Sequence, residues 1–102
     1  MPKRSKYARR KRDLLYMAWI RTLPCICCGS RLFVEAAHVG DRAFGQKCPD
    51  TETLPLCRKH HRLGPQSHHH LGKRFWLVWN LNRDHLIARL NANYECRFEE
   101  AA

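Results

Sequence analysis

The sequence has few acidic residues for its length. Its 102 residues include 9 Asp and Glu against 19 Lys and Arg, which gives a formal net charge of +10. No acid precedes Asp13, whereas seven of the first twelve residues are basic. A positive excess this large, clustered in one segment, indicates a polyanionic partner, most simply nucleic acid. The alternative is a basic protein whose charge serves solubility alone.

The sequence also lacks long apolar runs. The apolar stretch at residues 14–20 is far too short to cross a bilayer. The basic segment before it is not followed by a small-residue cleavage site, so no secretory signal is predicted. We therefore expect a cytoplasmic protein with no membrane partner, in which disulfides are uncommon. Nothing in the sequence indicates an oligomeric state.

Cysteine and histidine are abundant by contrast. The six cysteines are Cys25, Cys27, Cys28, Cys48, Cys57 and Cys96, and seven histidines accompany them. A secreted scaffold with three disulfides would use every cysteine, but the histidines at metal-ligand spacings favour metal binding. Cys48 and Cys96 have no spaced partner and are interpreted as small apolar residues. Cys27 is adjacent to Cys28, and neighbouring residues cannot easily chelate one ion together.

Two spaced pairs of ligand-type residues indicate a structural metal site. Cys25-x-x-Cys28 and Cys57-x-x-His60 are separated by 28 residues. Zinc takes four tetrahedral sulfur or nitrogen ligands, and a turn offers two of them when two residues intervene. We predict a structural Zn²⁺ held by these four residues. The alternative is a set of buried thiols with a capping histidine.

Apolar periodicity and breaker residues predict a flexible basic arm over residues 1–12 and a single domain over residues 13–102. The predicted elements are a helix capped by Asp13 to about Leu23, a strand over residues 31–38, a long loop over 39–52, a strand over 53–56, a helix over 57–63, a helix from Ser67 or His68 to Trp79, and a helix capped by Asn82 to about Tyr94.

Histidines outside the zinc pairs indicate a second site. His38 ends the first predicted strand, and His61 follows His60 on a predicted helix, where neighbouring residues point about 100° apart. One of that pair can therefore face the zinc and the other a separate cleft. A run of three begins the next helix: His68, His69 and His70. Histidines beside a basic surface suit metal-assisted phosphodiester hydrolysis. A solvated helix start is the alternative for the triplet, and His85 is interpreted as solvent-facing.

This order of elements and motifs resembles the HNH endonuclease superfamily. The residues that carry the resemblance are Cys25 and Cys28, Glu35-Ala-Ala-His38, and Leu54-Pro-Leu-Cys57-Arg-Lys-His60-His61. Residues 37–47 and 68–76 are similar to small phage- and prophage-associated HNH proteins, and the resemblance spans roughly residues 17–95. It implies an α+β fold, a small zinc-stabilised ββα-metal (HNH, or His-Me finger) domain with flanking helices. It also implies a bacterial or phage-infected host cell as the setting.

The resemblance further implies a divalent-metal-dependent endonuclease that hydrolyses phosphodiester bonds of DNA. His38 falls on the general base and His61 on a ligand of the catalytic ion, Mg²⁺ or another divalent metal. His69 or His68 completes that site. Many members carry a ligand directly before the base, where this chain has Ala37, so Glu35 or the histidine cluster must replace it. The middle motif residue, usually Asn, is Thr53 here.

Two rival functions stay open. A zinc-containing nucleic-acid-binding module without catalysis is favoured by Ala37 and Thr53. An RNA-associated basic zinc protein would need stacking aromatics on an exposed sheet, whereas Phe75, Trp76 and Trp79 are interpreted as helical core. In each case the nucleic-acid-binding residues are predicted to be Lys3, Arg4, Lys6, Arg9, Arg10, Lys11, Arg12, Arg42 and Lys47.

Overall fold

The computed structural model describes residues 14–41 and 48–101, with side chains described as far as residue 97. Its elements are α1 (residues 14–20), β1 (Val34–His38), a 3₁₀ turn (Asp50–Glu52), β2 (Thr53–Cys57), a π-helical turn (Lys59–Leu63), α2 (His68–Leu71), a second 3₁₀ turn (Gly72–Arg74), α3 (Phe75–Val78) and α4 (Arg83–Ala101). This is a small α+β fold, as the sequence predicted. The predicted arm at residues 1–12, together with Asp13, Arg42 and Lys47, lies outside the described residues.

The two strands form an antiparallel hairpin. The register runs from Val34 opposite Cys57 to His38 opposite Thr53. β1 begins three residues later than predicted, because Phe33 adopts a φ of 56° that interrupts the extended chain. Every residue of β2 is buried. The hairpin therefore carries His38 at the end of β1 and Cys57 at the end of β2.

One face of the hairpin packs against the helical layer. Ala37, Leu54 and Leu56 are fully buried and lie in one cluster with Phe75 of α3 and Ile87 of α4. Fully burying an aliphatic or aromatic side chain of this size stabilises a fold by about 1.5–3 kcal/mol. Because strand residues alternate between faces, Glu35 shares the face of Ala37, and His38 lies on the other.

The helix predicted from Ser67 or His68 to Trp79 is wrong as a continuous element. It is divided into α2, a 3₁₀ turn and α3, because Gly72 adopts a φ of 59° and ends α2. The start was predicted correctly, since the Ser67 hydroxyl accepts a hydrogen bond from the backbone N–H of His70 at 3.2 Å. The break leaves Val78 51% exposed, whereas Phe75 is fully buried.

The helix predicted over residues 57–63 is instead the π-helical turn Lys59–Leu63, which follows β2 almost directly. The last helix begins where predicted, because the Asn82 side chain accepts the backbone N–H of His85 at 3.0 Å. It continues to Ala101, well past Tyr94. In the described part of the chain, no helix combines the length and apolarity needed to cross a bilayer.

Candidate metal centre

The first half-site is a tight turn docked against β2. Gly29, with a φ of 74°, donates its backbone N–H to the Cys25 carbonyl at 2.8 Å and closes the turn. Pro55 has no N–H, but its carbonyl accepts the N–H of Ile26 at 3.1 Å. This bond fixes the turn beside the edge of β2, so that Cys25 and Cys28 face the end of the strand where Cys57 lies.

Cys25, Cys28, Cys57 and His60 form one cluster, as the spacing predicted. Their ligand atoms all lie within 4.8 Å of one another. The Cys28 and Cys57 sulfurs are 3.8 Å apart, and the Nδ1 atom of His60 is 3.1 Å from the Cys57 sulfur. Two sulfurs bound tetrahedrally at about 2.3 Å from one zinc are about 3.8 Å apart. The donor set and its spacing therefore fit a structural zinc ion.

Residues outside the four ligands affect the pKa values and the orientation of the ligands. Interaction with the Cys27 thiol lowers the pKa of Cys25, and the same interaction raises the pKa of Cys27. Burial raises the pKa of Cys57. Trp79 packs edge-on against the His60 ring, with ring centroids 4.9 Å apart, and fixes its orientation. Such contacts orient metal ligands and adjust their basicity.

His61 points away from this cluster, as predicted for a residue adjacent to His60. Its Nδ1 atom lies 2.8 Å from Oε1 of Glu35 on β1. Arg62 donates to both oxygens of the same carboxylate, at 3.0 Å from Nε to Oε1 and 3.0 Å from Nη2 to Oε2. These bonds, that of Arg62 foremost, lower the pKa of Glu35 to about 2. Glu35 is therefore a carboxylate at any physiological pH.

Two histidines of the triplet have different surroundings: His69 lies beside His61, and His68 packs against the core. The ring of His69 lies 4.6 Å from that of His61. His68 instead packs edge-on against Phe75 and Trp76, with centroids 5.4 and 5.7 Å apart. Apart from the Cys–His cluster, residues 14–41 and 48–97 contain no set of three His, Cys, Asp or Glu ligand atoms within 4.8 Å of one another.

His38 is paired with a carboxylate that the sequence analysis did not identify. Its Nε2 atom lies 2.7 Å from Oδ1 of Asp50, and both side chains are partly exposed. The Thr53 hydroxyl donates to the Asp50 backbone carbonyl at 2.9 Å and holds the 3₁₀ turn against the start of β2. No short spacing marks this pair, because the eleven residues between His38 and Asp50 include most of a loop. His85, interpreted as solvent-facing, is exposed.

The chain matches a protein-family model over residues 1–76, and that family is described as "Protein of unknown function (DUF968)". It is also similar to the "Uncharacterized protein YdfU" of Escherichia coli (strain K12), with 39% identity over 64 residues. This alignment covers 60% of the chain and 17% of the relative, so the chain spans less than a fifth of that protein's length. No solved structure matches this chain. With three quarters of its length matched by the family model, the chain belongs to the DUF968 family.

Proposed function

We propose that this chain is a zinc-stabilised DNA endonuclease that hydrolyses phosphodiester bonds with His38 as general base and a divalent ion held beside His61. The observation that carries the proposal is the His38–Asp50 pair, 2.7 Å from Nε2 to Oδ1, at the end of β1. A histidine oriented by a carboxylate is the usual arrangement of a general base.

The contacts of His38 suit proton abstraction. With Asp50 accepting a hydrogen bond from Nε2–H of His38, Nδ1 is the basic nitrogen, and the hydrogen bonds among the described residues leave Nδ1 unoccupied. The carboxylate also stabilises the imidazolium that forms when His38 takes a proton from water. Thr53 is fully buried and holds Asp50 in place through its hydroxyl. Thr53 therefore acts on the base through Asp50, at the position where the resemblance expects Asn.

The contact between Glu35 and His61 supports a site for the divalent ion, and Glu35 lies on the face of β1 opposite His38. Glu35 and Ala37 share that face, so Glu35 can replace the ligand missing at position 37. The carboxylate is ionised, His61 lies 2.8 Å from it, and the His69 ring packs against the ring of His61. A divalent ion bound there would neutralise the phosphate and stabilise the leaving oxygen. Imidazole ligands favour Mn²⁺ or Ni²⁺ over Mg²⁺.

A second candidate function is a zinc-containing nucleic-acid-binding module without catalysis. It is favoured by Arg62, which engages both oxygens of Glu35 and competes with any ion for that carboxylate. Both candidates take DNA as the partner, because the net charge of +10 favours a polyanion.

A cleavage assay separates the two candidates. The zinc-loaded full chain is incubated with supercoiled plasmid and with linear and branched duplexes. Each DNA is tested with Mg²⁺, with Mn²⁺ and with Ni²⁺. We expect nicked or linear products, formed faster with Mn²⁺ or Ni²⁺ than with Mg²⁺, and none without an added ion. Protein that binds these DNAs but cuts none of them with any ion would contradict the endonuclease and leave the binding module.

A further inference from the structure

A groove beside the zinc cluster exposes an unusual set of apolar side chains. Leu32, Phe33 and Leu63 are 71%, 65% and 64% exposed and line the same groove, which encloses about 490 Å³. Single exposed apolar residues are ordinary on protein surfaces, whereas a contiguous group marks a binding site. The residues that line the groove include two cations, Arg58 and Lys59, and no acid. The groove thus combines apolar side chains with positive charge.

The backbone holds Phe33 in a conformation that directs its ring outward. Its φ of 56° lies in the left-handed region, which bulky residues rarely adopt because it is costly for them. The Phe33 carbonyl accepts the backbone N–H of Arg58 at 2.9 Å and fixes this arrangement at the start of the hairpin. The strain is retained without any gain in core burial, since the ring remains 65% exposed. Strain of this kind clusters at ligand sites.

Arg58 lies over this ring. Its guanidinium carbon lies 4.2 Å from the centre of the Phe33 ring, a cation–π contact. A guanidinium held in this way offers a planar cation, and both it and an exposed aromatic ring are groups on which unpaired bases stack. Lys59 stands next to it on the groove wall and suits a neighbouring phosphate.

We propose that this groove binds an unpaired nucleobase of DNA, stacked against Phe33 and Arg58, with the adjoining phosphate near Lys59. The proposal rests on the proposed function only in taking DNA as the partner. A fully paired duplex buries the faces of its bases, so the groove selects DNA with single-stranded or extruded nucleotides. Because Cys28, Cys57 and His60 also line the groove, its shape depends on the zinc cluster.

Binding without added divalent ion tests the groove separately from cleavage. The zinc-loaded full chain is titrated against a fluorescent oligothymidylate and against a duplex of the same length, with anisotropy as the readout. Phe33→Ala should bind the single strand about five- to hundredfold more weakly, which is the loss expected for one stacked base. Its affinity for the duplex should stay within about twofold, because phosphate contacts dominate there. Phe33→Trp should restore the single-strand affinity.

Leu77→Ala is the matched control, since Leu77 is 83% exposed but lies on α3 outside the groove. It should leave both affinities unchanged. If Phe33→Ala binds the single strand as tightly as Leu77→Ala does, the groove does not bind bases and an apolar, acidic protein segment becomes its better occupant. An equal loss on single strand and duplex also overturns the proposal. Neither result bears on whether the protein cuts DNA.

Discussion

Glu35 and His61 connect the hairpin to the π-helical turn, with 2.8 Å between Oε1 and Nδ1. The bond turns the Nε2 atom of His61 away from β1. Arg62, one residue further, engages the same carboxylate. Histidines that bind metals commonly donate their second ring nitrogen to a carboxylate in this way. Glu35 can therefore serve the proposed ion either as a ligand or as the group that orients His61.

Substitution of Glu35 and substitution of Arg62 should change the metal requirement of cleavage in opposite directions. Glu35→Gln removes the charge, so the Mn²⁺ concentration for half-maximal cleavage should rise about tenfold or more. Arg62→Gln releases the carboxylate, so that concentration should fall. The measurement is the cleavage rate as a function of Mn²⁺ concentration. A shift in the same direction for both variants would show that the pair only stabilises the fold.

Loss of a zinc ligand should unfold the domain. Structural zinc contributes on the order of 10 kcal/mol in small zinc peptides, so Cys57→Ala should lose both zinc and cooperative melting. Cys96→Ala is the control, because Cys96 is exposed and outside the cluster. Zinc content per chain and circular dichroism report the outcome. A Cys57→Ala protein that is zinc-free yet melts cooperatively would refute the structural role.

Tyr16 is expected to make stability sensitive to high pH. It packs edge-on against Tyr94, with centroids 4.9 Å apart, and its hydroxyl has no hydrogen-bond partner among the described residues. Burial foremost, with the nearby Tyr94, raises the pKa of Tyr16 from 10.0 to about 12. The folded state therefore keeps this proton longer than the unfolded state, and stability falls as the pH rises from 10 towards 12.

Tyr16→Phe isolates this effect. The variant should lose the part of the stability decrease at high pH that is due to Tyr16. Its free energy of unfolding near neutral pH should rise by about 1 kcal/mol, because a buried unpaired hydroxyl is removed. Tyr16→Ala should instead cost about 3–5 kcal/mol through the cavity it leaves. Urea unfolding at several pH values measures all three proteins. A Tyr16→Phe protein less stable than the parent would mean that the hydroxyl has a partner.

The basic arm is predicted to contact phosphates without regard to base sequence. Deleting residues 1–12 should weaken DNA binding equally for all sequences and flatten its salt dependence. Each lost phosphate contact lowers the slope of log affinity against log salt by about 0.9 on duplex DNA. Fluorescence anisotropy over a range of salt concentrations gives the slope. An unchanged slope after the deletion would mean that the arm does not reach the DNA.

The sequence predicted the metal cluster better than the histidine–carboxylate pairs for a physical reason. Two cysteines, or a cysteine and a histidine, with two residues between them can share a turn, so the four ligands could be identified from spacing. The partner of His38 could not be identified from spacing, because Asp50 follows a loop and the position of Asp50 depends on the strand register. Likewise, no periodicity indicates the left-handed conformation of Phe33.

Helix lengths were harder to predict than helix starts. Asn82 was identified as a cap and Ser67 as a possible helix start, and the side chain of each accepts the backbone N–H three residues on. The ends depend on tertiary packing and on Gly72, which stops α2 inside an apolar pattern that favours a longer helix. Beyond Tyr94, Phe98 continues the four-residue spacing of Leu90 and Tyr94 in the sequence, and α4 continues to Ala101.

The rate of DNA cleavage by His38→Ala, compared with the parent and with His85→Ala, tests the account most directly. A general base contributes about 10²–10⁴-fold in rate. His38→Ala should therefore cut at least about a hundredfold more slowly while it keeps its zinc, its melting temperature and its DNA affinity. His85→Ala, at an exposed position on α4, should cut as fast as the parent. A folded, zinc-loaded His38→Ala protein that cuts DNA at the parent rate would contradict the assignment of His38 as the base.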